Sequence, residues 1–229
     1  MSSGRAVLAV REFAMVVAMG RRREIGVRGR MPWTLPAETA YFRNLTVGGK
    51  QGIPASLYDR GDPDYEVEWR ASLSSRERGV HHAVVMGRKT WESLPAEHRP
   101  LKDRVNVVVS RTMANHTGGV EQLAGAAAAP GLVVAGTLAQ ALEEARVRVG
   151  DQGDVFVIGG AQVYAEALRH PALSEVFLTD VDAEFPEADA HFPSTDSLSL
   201  VPTHVSPWVR DPVAALSYRF SRLEVERRH

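Results

Sequence analysis

Two adjacent glycines, Gly159 and Gly160, stand between an apolar run at residues 155–158 and a helical pattern at residues 161–168. Residues without a Cβ let backbone N–H groups and the positive end of a helix dipole approach a ligand closely. This arrangement is typical of an anion or cofactor site at the start of a helix. The dinucleotide fingerprint G-x-G-x-x-G is absent, so the pair by itself is equally consistent with a tight turn.

A second glycine follows the apolar run at residues 83–86 and precedes two cations and a hydroxyl, in the order Gly87, Arg88, Lys89, Thr90. Cations at the positive end of a helix dipole are unfavourable, and a bound phosphate would remove that conflict. The alternative interpretation is a pair of solvated cations on a surface helix. The types and order of these residues favour a phosphate site.

A third apolar run, at residues 105–109, ends in Ser110 and Arg111. In open α/β sheets, ligands bind beyond the carboxyl ends of the strands. Three strands that end in glycine, cations and hydroxyls therefore predict one long anionic ligand lying across them, and a dinucleotide has the required length.

An acid lies in a predominantly apolar segment further towards the N-terminus. Residues 31–33 read MPW, and the helical pattern that follows carries Glu38 and Phe42, which share a face because they are one turn apart. If that face points inward, desolvation raises the pKa of the carboxyl and makes it a proton donor or an anchor for a polar ring. The alternative is a solvated acid that is favourable to the helix dipole.

The elements that must position these residues alternate between strands and helices. Helical spacing occurs at residues 36–46, 89–94, 137–147 and 161–168, with Thr137 as a candidate N-cap. Continuous apolar runs, typical of strands buried on both faces, occur at residues 13–19, 83–86, 105–109, 132–135, 155–158 and 176–179. We therefore predict an α/β fold with a mainly parallel sheet, and an antiparallel edge strand at residues 217–225.

Composition excludes several classes of protein. The 229 residues carry a formal charge of −1, so no basic field attracts nucleic acid or membrane, and the absence of cysteine excludes disulfides and thiolate metal sites. No apolar stretch is long enough to cross a bilayer, and the N-terminus does not resemble a signal peptide. His81, His82 and His98 lack the spacing of metal ligands. We expect a cytoplasmic protein without a metal site.

One domain is predicted over residues 10–227, after an N-terminal extension at residues 1–9. Residues 47–80 are polar, rich in Gly and Pro, and without periodicity, and we interpret them as a surface insertion with a short helix around residues 67–73. Residues 124–130 are rich in Ala and Gly and predict a further loop.

Taken in order, the motifs MVVAM, IG, MPW, VVMGRKTWESLP, VVVSR, FVIGGAQVY and FLTD resemble those of dihydrofolate reductases of the eukaryotic, single-activity type. The resemblance extends from Phe13 to Phe192 and, more weakly, over residues 218–225. It implies an eight-stranded, mostly parallel sheet and the reduction of 7,8-dihydrofolate to tetrahydrofolate. The implied chemistry is hydride transfer from NADPH with protonation at N5, a reaction that feeds one-carbon metabolism and thymidylate and purine synthesis.

For the substrate, the resemblance implies that Glu38 holds the pterin ring and supports protonation at N5, with Thr179 as its hydroxyl partner. Arg104 would pair with the α-carboxylate of the glutamate tail. Glu38, Thr179 and Trp33 form the implied catalytic set, and the implied substrate-binding set is Val17, Ala18, Glu38, Thr39, Phe42, Leu101, Arg104, Ile158 and Thr179. Thr39 departs from the family, which places an apolar residue there.

For the cofactor, the resemblance implies that Arg88, Ser110 and Arg111 select the 2′-phosphate of NADPH, and that the Gly159–Gly160 peptide is cis. The implied cofactor-binding set is Ala18, Ile25, Gly87, Arg88, Lys89, Thr90, Ser110, Arg111, Ile158, Gly159, Gly160, Ala161, Gln162, Val163 and Tyr164. Loop 20–30 would cover the nicotinamide.

The implied partners are the small-molecule substrate and antifolate inhibitors, with no nucleic acid, no membrane and a monomeric chain. Two other functions fit part of the pattern. A riboflavin-pathway reductase would explain the NADPH features but has no need of MPW, Glu38 or Arg104. A folate- or nucleotide-binding protein without turnover is the second, and an absorbance assay at 340 nm discriminates it from an enzyme.

Overall fold

The protein is described by a computed structural model over residues 11–50, 81–114 and 132–227. Five α-helices lie in these ranges: α1 (Pro36–Gly48), α2 (Arg88–Ser93), α3 (Arg111–Ala114), α4 (Leu138–Val149) and α5 (Ala161–Arg169). The strands are β1 (Phe13–Met19), β2 (Glu24–Gly26), β3 (His82–Gly87), β4 (Arg104–Val109), β5 (Leu132–Ala135), β6 (Val155–Val157), β7 (Leu173–Val181), β8 (Ala190–His191), β9 (Ser199–Val205), β10 (Val209–Arg210) and β11 (Ser217–Glu226).

One large sheet organises the chain. Eight of its strands run in the order β10-β11-β7-β1-β6-β3-β4-β5, and β9 joins it by pairing with β11. The six strands from β7 to β5 pair in parallel, whereas β11 is antiparallel to β7, β9 and β10. The predicted mainly parallel sheet with an antiparallel C-terminal strand is confirmed. Strand β11 is not the edge strand that the sequence predicted, because β9 and β10 pair with its outer side.

Helices cover both faces of the sheet, which explains the continuous apolar runs of its strands. On one face, α4 and α5 pack Leu138, Leu142 and Leu168 against alternate residues of the strands, including Val17 of β1. On the other face, α1 and α2 contribute Tyr41, Leu45, Trp91 and their neighbours to a second cluster. Because strand side chains alternate, β1 contributes to both cores.

Local sequence sets the ends of the helices. Helix α1 begins with Pro36, whose missing N–H is not needed in a first turn, and ends at Gly49, which has a φ of 80°. Thr137 caps α4, as predicted, because its hydroxyl accepts a hydrogen bond from the amide of Gln140. At the other end of α4, Gly150 has a φ of 64°.

The predicted surface insertion at residues 47–80 begins too early. Helix α1 continues through Gly48, and Val47 in its last turn is buried. Lys50 is held as well, by a backbone hydrogen bond to Asp154 of 2.8 Å and an ion pair to Glu175. Residues 51–80, the predicted helix at 67–73, the loop at 124–130 and the extension at 1–9 lie outside the described residues.

A short antiparallel pair, β2 with β8, stands apart from the main sheet. It joins the segment after β1 to the segment after β7. Within the described ranges, no helix has the length and apolar character that crossing a membrane requires.

Candidate active site

The glycine and cation motifs, together with Ala18 and Thr179, lie near the carboxyl ends of the central parallel strands, whereas Arg104 begins β4. Ala18 is the register partner of Thr179 near the ends of β1 and β7. The amide of Gly87, the last residue of β3, donates a hydrogen bond of 2.7 Å to the carbonyl of Gly159, just beyond β6. The order of the strands therefore brings motifs that are distant in sequence to one edge of the sheet.

The Gly159–Gly160 peptide is cis, as the resemblance implied. Gly159 has a φ of 102°, and a Cβ on it would lie 2.7 Å from Cε2 of Tyr164. A Cβ on Gly160 would lie 3.2 Å from the hydroxyl oxygen of Thr90, and one on Gly87 would lie 3.1 Å from a methyl group of Val163. All three glycines thus allow close packing where β3, β6, α2 and α5 meet.

Tyr164 links the glycine pair to strand β1. Its ring is buried, and its hydroxyl donates a hydrogen bond of 2.7 Å to the carbonyl oxygen of Val16. Burial and the nearby negative charge of Glu38 both raise the pKa of Tyr164, so the phenol stays protonated at every physiological pH. The acid on α1 and the tyrosine on α5 therefore approach each other across the edge of the sheet.

Glu38 lies in the first turn of α1 and is partly exposed, in agreement with an acid that lines an open cleft. Burial raises the pKa of Glu38 from its ordinary 4.5 to about 7, and no hydrogen bond or charge in the described part of the chain contributes to that shift. The carboxyl therefore changes its protonation near neutral pH, which suits an exchangeable proton.

Apolar side chains cluster on the face of the sheet that α1 covers. Trp33 and Leu101 are buried members of the second core cluster, and Ala18, Phe42 and Ile158 pack against it. The indole N–H of Trp33 has no acceptor among the described residues, which leaves a buried donor available to a ligand.

Thr179 is buried in β7, between Phe177 and Val181, whose side chains belong to the cluster that α1 covers. Its register partner on β11, Phe220, stacks on Tyr41 of α1 with ring centroids 4.1 Å apart. Thr179 thus faces the helix that carries Glu38. Its role as a hydrogen-bond partner of that acid stays a prediction.

Thr39 is exposed, and its hydroxyl bonds back to the carbonyl oxygen of Leu35 at 3.2 Å. This bond satisfies the polar group within the helix, so the polar residue does not place an unpaired hydroxyl against the apolar lining.

Arg104 begins β4 on the far side of Phe42, with its guanidinium 5.8 Å from the centre of that ring. Its Nη1 donates to the hydroxyl of Thr46 at 2.7 Å, and its Nε donates to the carbonyl of Lys102 at 3.0 Å. Burial and the charge of Arg43 lower the pKa of Arg104 to about 10, which Asp103 only partly offsets. The site therefore favours an anionic partner for Arg104.

Asn106 is a functional neighbour that the sequence analysis missed. Its buried amide accepts from the backbone of Leu101 at 2.9 Å and donates to the carbonyls of Leu101 and Arg104 at the same distance. It therefore fixes the loop that presents both residues. The available signal was one polar residue in the strand RVNVVV, since buried Asn is uncommon unless it is hydrogen-bonded.

The candidate phosphate contacts lie at the opposite end of the site. Arg88 is exposed and pairs with Glu92 at 3.1 Å, and Lys89 lines a cavity of about 420 Å³ together with Arg28 and Arg30. Ser110 is buried immediately before α3, and Arg111, the first residue of that helix, is exposed. A larger cavity of about 580 Å³, lined by Glu12, Glu175 and seven others, contains none of the candidate residues.

The remaining cofactor candidates surround the same edge. Ala161 and exposed Gln162 begin α5, Val163 is buried beneath Gly87, and Ile25 in β2 packs against the core that contains Tyr164. A cradle formed by three glycines, flanked by two arginines, a lysine and two hydroxyls, fits a ligand with a flat ring and several phosphates. The residues present therefore fit a nicotinamide dinucleotide.

Comparison with known proteins agrees with this geometry. The profile of the family described as "Dihydrofolate reductase" matches residues 12–51 and 73–225. The chain belongs to the dihydrofolate reductase family. The family match omits residues 52–72, which lie within the segment that we interpreted as an insertion.

Several curated dihydrofolate reductase relatives are similar over most of this chain. The "Dihydrofolate reductase" of Schizosaccharomyces pombe is 30% identical over 206 residues, 87% of this chain and 39% of that protein. The "Dihydrofolate reductase" of Heliothis virescens is 29% identical over 198 residues, 86% of this chain and 88% of that protein. The "Bifunctional dihydrofolate reductase-thymidylate synthase" of Daucus carota is 31% identical over 201 residues, 86% of this chain. The chain spans 31% of the length of the Daucus carota protein.

The raised pKa of Glu38 predicts an effect on stability. The folded-state pKa of about 7 exceeds the ordinary 4.5, so folding is favoured by protonation, and stability falls as pH rises from about 4.5 through 7. Glu38→Gln removes this loss. We expect the variant to match the wild type near pH 4.5 and to exceed it by about 1–3 kcal/mol above pH 7, after allowance for solvent screening. Urea unfolding of both proteins at several pH values measures the difference, and a constant difference would contradict it.

Proposed function

We propose that this protein reduces 7,8-dihydrofolate to tetrahydrofolate with NADPH, and so supplies one-carbon metabolism and thymidylate and purine synthesis. The observation that best supports this proposal is the environment of Glu38. Its carboxyl ionises near neutral pH in an apolar cleft, and its negative charge helps to raise the pKa of Tyr164. Family membership supports the same reaction. A riboflavin-pathway substrate has no glutamate tail, so it does not require an arginine in the role proposed for Arg104.

Glu38 provides both the hydrogen bonding and the proton at the pterin. As a carboxylate it accepts hydrogen bonds from ring N–H and amino groups, and as a carboxylic acid it holds the proton that N5 requires, delivered through water. Trp33 adds a buried N–H donor beside it, and Thr179 holds the acid in orientation. The apolar lining of Ala18, Phe42, Leu101 and Ile158 limits access of water, which strengthens each of these interactions.

NADPH, when bound, supplies the hydride that C6 of the pterin accepts. The chain contributes binding and orientation. The glycine pair permits close approach of backbone, Lys89 and Thr90 are suited to the diphosphate, and Arg88, Ser110 and Arg111 are suited to a 2′-phosphate. Two guanidinium groups near one phosphate favour NADPH over NADH.

The first experiment follows absorbance at 340 nm with purified protein, dihydrofolate and either NADPH or NADH. We expect NADPH to be consumed only when dihydrofolate is present, and kcat/KM to be at least about tenfold higher than with NADH, since one charge-assisted phosphate contact contributes about 1.5–3 kcal/mol. Binding of both ligands without consumption would identify a binding protein and refute the proposed reaction.

Arg104→Lys is expected to weaken substrate binding selectively. Lysine keeps the positive charge but loses the planar fork that grips a carboxylate at two points, so the KM for dihydrofolate should rise about 10- to 100-fold. The kcat value and the dissociation constant for NADPH should change less than about threefold. Arg43→Lys, at an exposed position on α1, serves as the matched control. Equal effects of the two substitutions would remove Arg104 from the proposed tail site.

We also propose that the protein acts in the cytoplasm as a monomer and that antifolates bind in the same cleft. The chain contains no cysteine, which suits a reducing compartment. Antifolate binding follows from the proposed pterin site, because such inhibitors present donors to the same carboxyl.

A further inference from the structure

A second buried carboxylate lies outside the candidate site. Glu24, within the sequence RRREIG, is 1% exposed and is the only acidic or basic residue among the largest fully buried side chains of the described ranges. A buried charge is costly unless hydrogen bonds or an opposite charge compensate it. The stability of the fold therefore depends on the groups that compensate the charge of Glu24.

Backbone amides hold this carboxylate. Oε2 accepts from the amide of Arg22 at 2.7 Å, and Oε1 accepts from the amide of Phe185 at 2.9 Å. Burial by itself would raise the pKa of Glu24, but these hydrogen bonds and the nearby His191 outweigh it, and the pKa lies below its ordinary value. Glu24 is therefore charged at neutral pH, and both of its oxygens are used.

The two amides belong to segments that are far apart in sequence. Arg22 lies in the entrance loop (residues 20–33), which leads from β1 into α1, and Phe185 lies in the flanking segment (residues 182–192) after β7. Gly20 shows how closely the carboxylate is enclosed, because a Cβ there would lie 2.6 Å from Oε2 and 2.9 Å from the ring of Phe185. Glu24 thus joins the two segments at a buried point.

One aromatic contact connects the segment held by Glu24 to the candidate site. The ring of Phe185 packs on Trp33 with centroids 5.0 Å apart and planes tilted by 48°. Trp33 contributes the buried indole donor beside the cleft. A carboxylate that fixes the backbone of Phe185 therefore also restricts the ring against which Trp33 is oriented.

We propose that Glu24 is a positioning residue, which ties the entrance loop to the flanking segment and, through Phe185, holds Trp33 in its orientation at the substrate cleft. This inference rests on the proposed reductase function. Glu24 touches neither ligand, so its effect falls on the geometry of the reacting complex and only weakly on ligand affinity.

Two variants test the proposal by different routes. Glu24→Gln keeps the shape but loses the charge and turns an N–H₂ group towards a backbone donor, whereas Gly20→Ala keeps the charge and displaces the carboxylate. Glu184→Gln is the matched control, because it removes an acid of the same flanking segment whose ion pair with Arg22 is exposed.

Amide hydrogen exchange on the unliganded proteins is the first measurement. We expect the entrance loop and the flanking segment to exchange at least about tenfold faster in both test variants, while β3 and β4 keep the wild-type rates. Single-turnover hydride transfer at saturating ligands is the second. It should slow at least about tenfold, with an increased isotope effect from deuterated NADPH and with dissociation constants changed less than threefold.

The outcomes separate this proposal from the proposed function. If the wild-type protein does not reduce dihydrofolate, the function fails, while hydrogen exchange still reports whether Glu24 ties the segments together. Hydride transfer within twofold of wild type in folded Glu24→Gln and Gly20→Ala would overturn the positioning role. Failure of both variants to fold would do the same, since Glu24 would then serve folding alone.

Discussion

Glu38→Gln is expected to lower kcat for dihydrofolate reduction about 100- to 1,000-fold near neutral pH, the range that removal of a general acid produces. Glutamine keeps the size of the side chain and some hydrogen bonding to the pterin, but it cannot hold an exchangeable proton. The wild-type kcat/KM should fall as pH rises through about 7, because the protonated form of Glu38 is then lost. The variant should lack that step in its pH profile.

The dissociation constant for NADPH, measured by fluorescence, should stay within about twofold of wild type in Glu38→Gln, since Glu38 belongs to the proposed pterin site and not to the proposed cofactor site. Glu143→Gln, at an exposed position of α4, controls for the general effect of losing an acid. Turnover that remains within threefold of wild type in Glu38→Gln would eliminate the proposed proton pathway and, with it, the role assigned to α1.

Gly159→Ala is expected to lower the free energy of unfolding by about 2–5 kcal/mol and to abolish measurable NADPH binding. The new methyl group would lie 2.7 Å from the ring of Tyr164 on a residue whose φ is 102°. The backbone conformation costs about 1–2 kcal/mol for an L-residue, and overpacking in a core costs about 1–3 kcal/mol. Displacement of Tyr164 would also break its hydrogen bond to Val16.

Gly150→Ala separates the two contributions. Gly150 also has a positive φ, of 64°, but a Cβ there meets no atom of the described residues within 4 Å. It should therefore show the backbone cost alone and bind NADPH normally. Urea unfolding and calorimetric titration with NADPH measure both effects. If the two alanine variants are equally stable, the contact with Tyr164 does not explain why glycine occupies position 159.

Sequence periodicity was sufficient for the central strands, because residues buried on both faces must be apolar without interruption. The bounds of β1 and β5 agree with the predicted ones, and β6 ends one residue earlier. Sequence periodicity failed for β2 and β8, because strands of three and two residues are too short to show a period. Strand β9 escaped prediction because it is largely exposed and contains Pro202, which is tolerated on outer strands.

For the candidate site, the sequence predicted those residues whose type alone suggests a function, such as the glycine pair and the cations after β3. The sequence could not identify Asn106 beside the site, or Glu24 outside it, because their partners are backbone groups supplied by distant segments or by a loop whose path the sequence does not give. A local pattern contains no information about such partners. The sequence is compatible with either a raised or an ordinary pKa of Glu38, because the pKa depends on which way the face of α1 points.

Strand β4 connects the two ends of the proposed ligand site. Arg104 stands at its beginning, and Ser110 and Arg111 follow its last residue. Six extended residues span about 20 Å, and parallel neighbours on both sides hold the register. The length of the strand therefore fixes the distance between Arg104 at the proposed tail site and Arg111 at the proposed phosphate site. Insertion or deletion of one residue within it would move one recognition point relative to the other, so its length constrains how large a ligand pair the protein can accommodate.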